Sequence, residues 1–480
     1  MAGKVLDSEG KKPSQPVNRS LIEYYRIPEN TLPCVSLAGD GFSEKTGFFR
    51  FGRKNLCYGR CTCGVTPLIA DSGKYDAHEY VHVDNGTVQL PFNFSEVVDN
   101  LRLERYRESI APRLEFFAAT EAVRRTYYSF RGWLPVSLRR HLQKTYFRGW
   151  KDLPFPSWPV DFTVDDLHEE LLHLLMEAAG LTSVPFIWFW PDGAPNCLMM
   201  THDVETSAGR DFTLKLIDLD DKYGIRASFQ VIPEQRYAVS DEYVREIRKR
   251  GCEFNVHDLN HDGNLYRERA EFTRRAARIN GYVQRYGCTG FRAGAMYRNQ
   301  EWYDLFEFSY DMSVPNVAHL EPMRGGCCTV FPYFVGKIVE LPLTAVQDYS
   351  LFHILDDYSI DLWRQQLALL RERNGLMSFI CHPDYVIEER PRKVYESLLI
   401  YLRQMIEREK IWSALPGEVD RWWRARSQMM LVPDGNSWKI VGPESGRARL
   451  AYALLDGGGV RYELAEVSST EDSTSRTVRT

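Results

Sequence analysis

Residues 197–205 have the sequence Cys-Leu-Met-Met-Thr-His-Asp-Val-Glu, and residues 253–261 have the sequence Glu-Phe-Asn-Val-His-Asp-Leu-Asn-His. Each stretch begins with a segment that we predict as a strand, and each ends in ionisable side chains. From residue 197 onward, similar segments alternate with amphipathic helical patterns. Strands that alternate with helices form a parallel sheet, and their carboxyl ends meet at one edge. The two stretches therefore predict an α/β domain that gathers polar groups at that edge.

The alternation continues to residue 427 and defines the fold class. We predict strands at 198–203, 227–232, 253–257, 289–292, 310–314, 338–344, 376–381 and 411–415. We predict helices at 209–223, 241–250, 265–286, 299–307, 358–373, 392–410 and 417–427. Seven or eight such units favour a (β/α) barrel over an open doubly wound sheet, because no Gly-rich phosphate loop follows the first strand.

The composition excludes several classes of protein. Of the 480 residues, 44% are apolar and 13% aromatic, so we expect buried cores rather than a disordered chain. The 60 Lys and Arg residues nearly balance the 65 Asp and Glu residues, which argues against a nucleic-acid partner. The chain shows no apolar window of membrane-spanning length and no signal-like stretch in its first twenty residues, and its ten cysteines are scattered. We therefore expect a cytoplasmic protein.

Shifts in composition along the chain predict its domain organisation. A capping box of Thr163 and Asp166 is expected to open the helix that ends at Gly180. The polar ends are expected to be disordered tails. The predicted segments are a tail at 1–20, a β-rich domain at 21–115, a helical connector at 116–159, the barrel at 160–427, a β-hairpin appendage at 428–465 and a tail at 466–480.

The segment 121–151 combines basic and aromatic residues. It holds eight Arg or Lys residues against one acid, Glu121, with seven aromatic residues between them. Rings that partition to an interface and cations that meet phosphate would suit contact with an anionic membrane surface. The alternative, a helix whose arginines only solvate its outer face, is the more common situation.

The predicted strand ends carry the residues with candidate chemistry. Asp203 and Glu205 are two residues apart, so both carboxylates point to the same side of an extended strand. His257 and His261 are four residues apart, close enough to reach one cation. This spacing alone is weak evidence, and its position after a strand strengthens it. Helix capping is the structural alternative for the two acids. For Arg292 and His382, at other strand ends, the alternatives are a structural ion pair and a buried core histidine.

One carboxylate and two histidines leave an open coordination position on a divalent ion. Such a site favours hydrolysis at a carbonyl group, because the ion polarises the carbonyl and acidifies water. On distant strands, His382 could protonate a leaving group, Asp311 could fix the tautomer of that histidine, and Arg292 could hold Asp203 ionised.

These motifs resemble the polysaccharide deacetylase family, or NodB-homology domain, over about residues 197–425. In this family a distorted (β/α) barrel removes N- or O-acetyl groups from sugars. The resemblance implies that Asp203 is the base, that Glu205, His257 and His261 are the metal ligands, and that His382 in Ile-Cys-His is the general acid. The motif Gly-Cys-Glu-Phe-Asn-Val-His-Asp-Leu-Asn-His carries the most specific part of the likeness.

The third and fourth motifs depart from the family pattern. The sequence Gly-Phe-Arg-Ala-Gly-Ala-Met retains Arg292 but has Gly294 where the family usually has proline, close to an expected oxyanion-hole amide near Ala295. The sequence Tyr-Asp-Met-Ser-Val-Pro retains Asp311 but lacks the usual tryptophan. These departures bear on the pocket for the acetyl group and on substrate size.

The sequence thus predicts a metal-dependent sugar deacetylase, with Zn²⁺ as the first candidate ion and Co²⁺ or Ni²⁺ as alternatives. A cytoplasmic enzyme needs an intracellular substrate, such as a nucleotide-linked or lipid-linked acetylated sugar. A lipid-linked sugar would suit a protein that contacts the inner face of the membrane peripherally through 121–151. Two alternatives stay open. The barrel could hydrolyse a cyclic amide or ureide, or it could be an inactive module that binds glycan or a protein partner.

A cluster of three cysteines, Cys57, Cys61 and Cys63, lies in the predicted β-rich domain. With Cys34 as a fourth ligand these thiols could bind zinc. The spacing is not that of a zinc knuckle, however, and we favour a structural role.

Overall fold

The computed structural model describes residues 18–465 except 29, 39–40, 53–54, 70–74, 85–86, 111–144 and 148. Nine α-helices lie in this part of the chain. They are α1 (Arg19–Tyr25), α2 (Phe94–Arg102), α3 (Thr163–Ala179), α4 (Ser207–Lys222), α5 (Asp241–Lys249), α6 (Arg269–Tyr286), α7 (Asp361–Glu372), α8 (Glu389–Glu409) and α9 (Pro416–Ser427). None of the described helices combines the length and apolar character that crossing a bilayer requires.

The described strands follow the predicted alternation in the second half of the chain. They are β1 (Cys34–Leu37), β2 (Gly47–Phe51), β3 (Asn55–Gly59), β4 (His82–Asp84), β5 (Thr87–Leu90), β6 (Ser183–Ile187), β7 (Cys197–Val204), β8 (Ala227–Val231), β9 (Glu253–His257), β10 (Gly290–Arg292), β11 (Tyr310–Asp311), β12 (Tyr333–Val335), β13 (Ile338–Glu340), β14 (Leu376–Ile380), β15 (Trp412–Ser413), β16 (Met430–Asp434), β17 (Ser437–Val441), β18 (Leu450–Asp456) and β19 (Gly459–Leu464).

The central sheet has the strand order β12-β13-β11-β10-β9-β8-β7-β14, and β15 pairs with the start of β7. All its pairs are parallel except β12 with β13, so the carboxyl ends of the others lie at one edge. The strands are buried on both faces, because helices cover the outside of the sheet.

The sheet curls until its two ends approach each other. Beyond β13 the chain runs beside β14, where the Ala345 amide donates a hydrogen bond to the Ser378 carbonyl and the Thr344 hydroxyl accepts one from the Ser378 amide. Among the described residues no continuous ladder joins β13 to β14. The predicted distorted (β/α) barrel is therefore confirmed, with an incomplete seam between these two strands.

The amino-terminal region contains two small sheets, β1-β5-β4 and β2-β3, which pack with α2. Its aromatic core is continuous with the barrel core. A buried ion pair between Glu104 and Arg298, with its shorter contact joining Nη2 and Oε1, links this region to the loop after β10. The β-rich region is thus packed firmly against the barrel.

The carboxyl-terminal appendage contains two hairpins, β16-β17 and β18-β19. Strand β18 also pairs antiparallel with β6, a strand that the sequence analysis missed. Strand β6 contains Pro185 and finds its partner far along the chain, so local periodicity gave little sign of it. The appendage therefore completes a sheet with the segment before the barrel.

Two local features differ from the sequence analysis. The predicted capping box at Thr163 and Asp166 is wrong, because the buried Asp161 carboxylate accepts the Thr163 amide at 2.9 Å and the helix is capped from outside. Helix α1 begins at Arg19, inside the range predicted as a tail. Most of the basic aromatic segment 121–151, and the tails at 1–17 and 466–480, lie outside the described residues.

Candidate functional site

Alternation along β7 separates two sets of side chains. Thr201 and Asp203 point into the barrel, whereas His202 points outward to the helical layer. The Arg292 guanidinium, at the end of β10, donates through Nη1 to Thr201 Oγ1 at 2.8 Å and to Asp203 Oδ1 at 2.7 Å. Its Nε donates to the Met312 carbonyl at 3.0 Å, which fixes the side chain in the interior.

Asp203 is a buried carboxylate that stays ionised. Burial alone would raise the pKa of Asp203. The charge of Arg292, followed by those of His257 and His382, lowers the pKa by more than burial raises it, so the net shift is downward. Oδ2 of Asp203 lies 3.8 Å from His257 Nε2. The carboxylate is therefore placed to accept a proton beside the two histidines of β9 and its loop.

Glu205, His257 and His261 come together just beyond the ends of β7 and β9. One ligand atom from each lies within 4.8 Å of the others. Glu205 Oε1 lies 2.9 Å from His261 Nε2 and 3.9 Å from His257 Nε2. The Glu205 side chain is 22% exposed and the two imidazoles are almost fully buried, so the cluster opens toward solvent on the carboxylate side.

The donor set of this cluster fits a divalent metal ion. His257 Nδ1 lies 3.1 Å from the Arg292 carbonyl, which can only accept, so Nδ1 carries the hydrogen and Nε2 presents its lone pair. The Nε2 atoms of His257 and His261 are buried without a hydrogen bond of good geometry in the described structure. Orphaned nitrogens beside a carboxylate are what a three-ligand site with an open position requires.

The charges of the cluster reinforce one another. Burial raises the pKa of Glu205, but His261, His257 and His382 outweigh it and hold the pKa well below its usual range. Burial lowers the pKa of His261, and the Glu205 charge more than compensates, so the net shift is upward. Glu205 is thus kept anionic, as a metal ligand must be.

Gly294 explains the departure from the family pattern after Arg292. A Cβ on Gly294 would lie 2.7 Å from Asp258 Oδ2 and 3.0 Å from the His261 ring. His261 itself has φ 56° and Asp258 has φ 54°, so the loop folds back tightly against β10. The close approach of the ligand loop requires glycine at this position. Ala295 follows with φ 54°.

His382 lies on the opposite side of the cluster, and its Nε2 is 3.6 Å from Glu205 Oε1. Its partner is Asp348, which the sequence analysis missed: Oδ1 lies 2.7 Å from His382 Nδ1, and Oδ2 accepts the His382 amide at 2.6 Å. Burial lowers the pKa of His382, but Asp348 and Glu205 outweigh it and hold the pKa well above its usual value. The raised pKa favours the protonated imidazolium, which can act as an acid.

Asp311 is not the partner of His382, and the predicted role in fixing its tautomer is wrong. Its carboxylate accepts from Tyr303 Oη at 2.6 Å and from Ser313 Oγ at 2.8 Å. Ser313 Oγ in turn accepts the Ala293 amide at 2.8 Å, so Asp311 supports the loop that follows Arg292. Beneath it, burial and then the Asp311 charge raise the pKa of Glu340, which keeps that carboxyl neutral.

Asp384 joins the loop after β14 to the start of α4. Its carboxylate accepts from the Thr206 hydroxyl and from the Gly209 amide. A Cβ on Gly209 would clash with the Asp384 carboxylate, so a larger residue at this position would displace that side chain. The bridge fixes the backbone next to Glu205, whose amide lies 3.4 Å from the same carboxylate.

The cysteine cluster forms a different arrangement. Cys61 Sγ lies 3.1 Å from Cys63 Sγ, and Cys57 is buried in β3. Among the described residues, Glu205, His257 and His261 are the group of three ligand side chains that converge closely enough to hold an ion. Chemistry in this part of the chain therefore centres on the barrel.

No family model and no curated protein matches the chain. Many solved structures are similar to part of the chain, and three of them illustrate the likeness. A Mycobacterium smegmatis protein described as a polysaccharide deacetylase has 18% identity and a TM-score of 0.41, covering 52% of this chain and 98% of its own. The Puue allantoinase has 11% identity and a TM-score of 0.39, covering 49% and 92%.

The third is a family 4 carbohydrate esterase from Streptomyces lividans in complex with acetate, with 13% identity and a TM-score of 0.31, covering 46% of this chain and 93% of its own. At these identities the likeness concerns the fold alone. The distorted (β/α) barrel predicted from the sequence is the fold observed.

Proposed function

We propose that the protein is a metal-dependent hydrolase that removes an acetyl group from an N-acetylated or O-acetylated sugar. The observation that carries the proposal is the convergence of Glu205, His257 and His261 between the Asp203 carboxylate and the His382 imidazole. These five side chains come from the ends of three strands, β7, β9 and β14, at one edge of the barrel.

Glu205, His257 and His261 would hold the ion, with Zn²⁺ as the first candidate and Co²⁺ or Ni²⁺ as alternatives. When bound, a divalent ion supplies a Lewis acid that polarises a carbonyl and makes water more acidic. Asp203 Oδ2 takes the proton of the attacking water, and Arg292 orients that carboxylate. His382 Nε2 gives a proton to the departing amine or alcohol, while Asp348 holds its ring.

A small apolar cluster at the same edge suits an acetyl methyl group. Met296, Leu343 and Ile380 form a separate buried hydrophobic cluster. Ile380 is the last residue of β14 and lies two residues before His382. These side chains would take the place of the tryptophan that the fourth motif lacks, and would favour acetyl over longer acyl groups.

The proposed substrate is an intracellular acetylated sugar, nucleotide-linked or lipid-linked. The lipid-linked case rests on the basic aromatic segment 121–151 and would place a cytoplasmic enzyme at the inner face of the membrane. Flotation with liposomes that contain anionic lipids tests it. Binding that is lost at high salt supports the membrane contact, and absence of binding removes its motivation.

Acetate release from acetylated amino-sugar oligomers tests the proposed function. We expect wild-type protein loaded with zinc to release acetate, and His382→Ala to lose most of this activity. A panel of cyclic amides and ureides assayed in parallel separates the alternative C–N hydrolase. Failure to act on any of these compounds with zinc, cobalt or nickel would contradict the hydrolase proposal and favour a binding module.

A further inference from the structure

Three aromatic rings adjoin the acid side of the site, and we name Tyr349, His353 and Tyr385 the aromatic platform. The Tyr385 ring lies 4.9 Å from the His382 ring, measured between centroids. It also lies 4.8 Å from His353 and 5.8 Å from Tyr349. The platform thus begins in direct contact with the proposed acid.

The ring of Tyr385 is accessible and its hydroxyl is uncommitted. All three side chains of the platform are partly exposed. The Tyr385 hydroxyl makes no hydrogen bond to the described residues, although its amide donates to the His382 carbonyl at 3.1 Å. Burial, and then the Glu205 charge, raises the pKa of Tyr385, so the phenol keeps its proton. A half-buried phenol without a partner is available to a ligand.

The platform is built by an irregular element. His353 lies in a single π-helical turn, Ser350–Ile354, which follows directly after Asp348 and Tyr349. Such turns are rare and occur frequently at functional sites. The same backbone segment therefore supplies both the carboxylate that holds His382 and two rings of the platform.

The three rings are inclined to one another. Tyr385 is inclined to Tyr349 by 39° and to His353 by 83°, and those two are inclined to each other by 63°. A ligand therefore meets one ring face at a time. A puckered sugar ring can rest its C–H face on one ring and offer a hydroxyl to the phenol.

We propose that the aromatic platform binds the pyranose ring that carries the acetyl group, with Tyr385 as the main contact. This inference rests on the proposed function and names the residue that determines its affinity for the sugar. Tyr385 is a specificity-determining residue in this account: it sets affinity for the sugar, and Asp203 and His382 set the rate of the reaction.

The test measures binding directly, so that it does not depend on turnover. The ligands are the tetramer of N-acetylglucosamine and allantoin, titrated calorimetrically into Asp203→Asn protein loaded with zinc. We expect the added substitution Tyr385→Leu to weaken tetramer binding at least about tenfold, and Tyr385→Phe to weaken it about threefold through loss of the hydroxyl. Tyr358→Leu is the matched control, because Tyr358 stacks on Phe352 in the same region and outside the platform; we expect it to change affinity by less than about threefold.

Three results would overturn the inference: no tetramer binding to the parent protein, equal binding by Tyr385→Leu, or an equal loss in Tyr358→Leu. Allantoin bound more tightly than the tetramer and lost in Tyr385→Leu would also overturn it, in favour of a ureide. Acetate release by the wild-type protein is scored separately. Binding without acetate release would therefore contradict the proposed function and leave the sugar platform standing.

Discussion

Two clusters of histidine and carboxylate lie on opposite sides of β7, and they differ in how completely their imidazoles are hydrogen-bonded. On the outer side, His202 Nδ1 contacts the Cys381 carbonyl at 2.8 Å and Nε2 contacts Asp220 Oδ2 at 3.0 Å. Asp220 also accepts from Tyr395 Oη at 2.6 Å. Every polar atom of this imidazole has a partner, and the ring is completely buried.

On the inner side, His257 and His261 each satisfy only part of their hydrogen-bonding capacity. Their Nε2 atoms are buried without a well-formed hydrogen bond and face Glu205, which remains partly exposed. Similar residue types therefore form a fully hydrogen-bonded contact between β7 and the helices on one side. On the other side they form a set of metal-ligand side chains with unpaired nitrogen atoms. Converging nitrogen atoms without hydrogen-bond partners distinguish the inner cluster, because a purely structural cluster would not leave them unsatisfied.

The largest expected effect comes from a substitution that alters the inner cluster alone. We expect Asp203→Asn to lower kcat for acetate release about 1000-fold, because the amide cannot accept the proton of water. The metal content should not change, because Asp203 is not one of the three ligands. Steady-state kinetics and elemental analysis check both points. Activity within about tenfold of wild type would contradict the assignment of Asp203 as the base.

The outer side is tested by stability instead. We expect His202→Ala to lower the free energy of unfolding by about 3 kcal/mol, because Asp220 loses a buried partner and the Cys381 carbonyl a donor. Metal content should stay at the wild-type level. Denaturant titration measures the stability change. Loss of bound metal from a variant that remains folded would show that the two clusters are not independent.

Asp348→Asn is expected to lower kcat/KM about tenfold at neutral pH and to shift its pH profile. Asp348 raises the pKa of His382 against the effect of burial, so the amide should lower that pKa. The alkaline limb of the kcat/KM profile should therefore move to lower pH. The stabilisation from the raised pKa is complete below about pH 6.5, the ordinary histidine value, and is lost as pH rises through the folded pKa. An unchanged alkaline limb would contradict the role of His382 as acid.

The smallest expected effect comes from Asp384→Asn, which weakens the bridge between the β14 loop and α4. We expect a loss of about 1 kcal/mol in unfolding free energy, the usual size of a capping contribution, and little change in kcat. Thermal denaturation detects this change. A large fall in kcat with unchanged stability would instead place Asp384 among the residues that contact substrate.

The sequence predicted the barrel well because its strands and helices alternate with clear periods. All eight predicted strands after residue 197 are observed, although 310–314 and 338–344 shorten to Tyr310–Asp311 and Ile338–Glu340. Six of the seven predicted helices are observed as α-helices, whereas the one predicted at 299–307 is a 3-10 helix at Gln300–Leu305. Strand β6 was missed because its partner is β18, far along the chain. Pairing over such a separation leaves no local periodic signal.

The candidate site was predicted in part. Strand ends placed Asp203, Glu205 and His257 correctly at one edge, since parallel strands bring their carboxyl ends together. Asp348 was missed because it lies four residues beyond the predicted strand at 338–344, on the return from β13 toward β14. It reaches His382 because this segment runs beside β14, a contact that the sequence does not reveal. Asp311 was assigned to His382 wrongly because the Tyr303 and Ser313 contacts depend on tertiary packing.

The central claim is that the inner cluster holds a metal ion, and elemental analysis of purified protein tests it most directly. Wild-type protein, His257→Ala and His202→Ala are compared after incubation with zinc and removal of excess. We predict about one equivalent of metal in wild type and in His202→Ala, and almost none in His257→Ala. Absence of metal from wild type, or full occupancy in His257→Ala, would contradict the account.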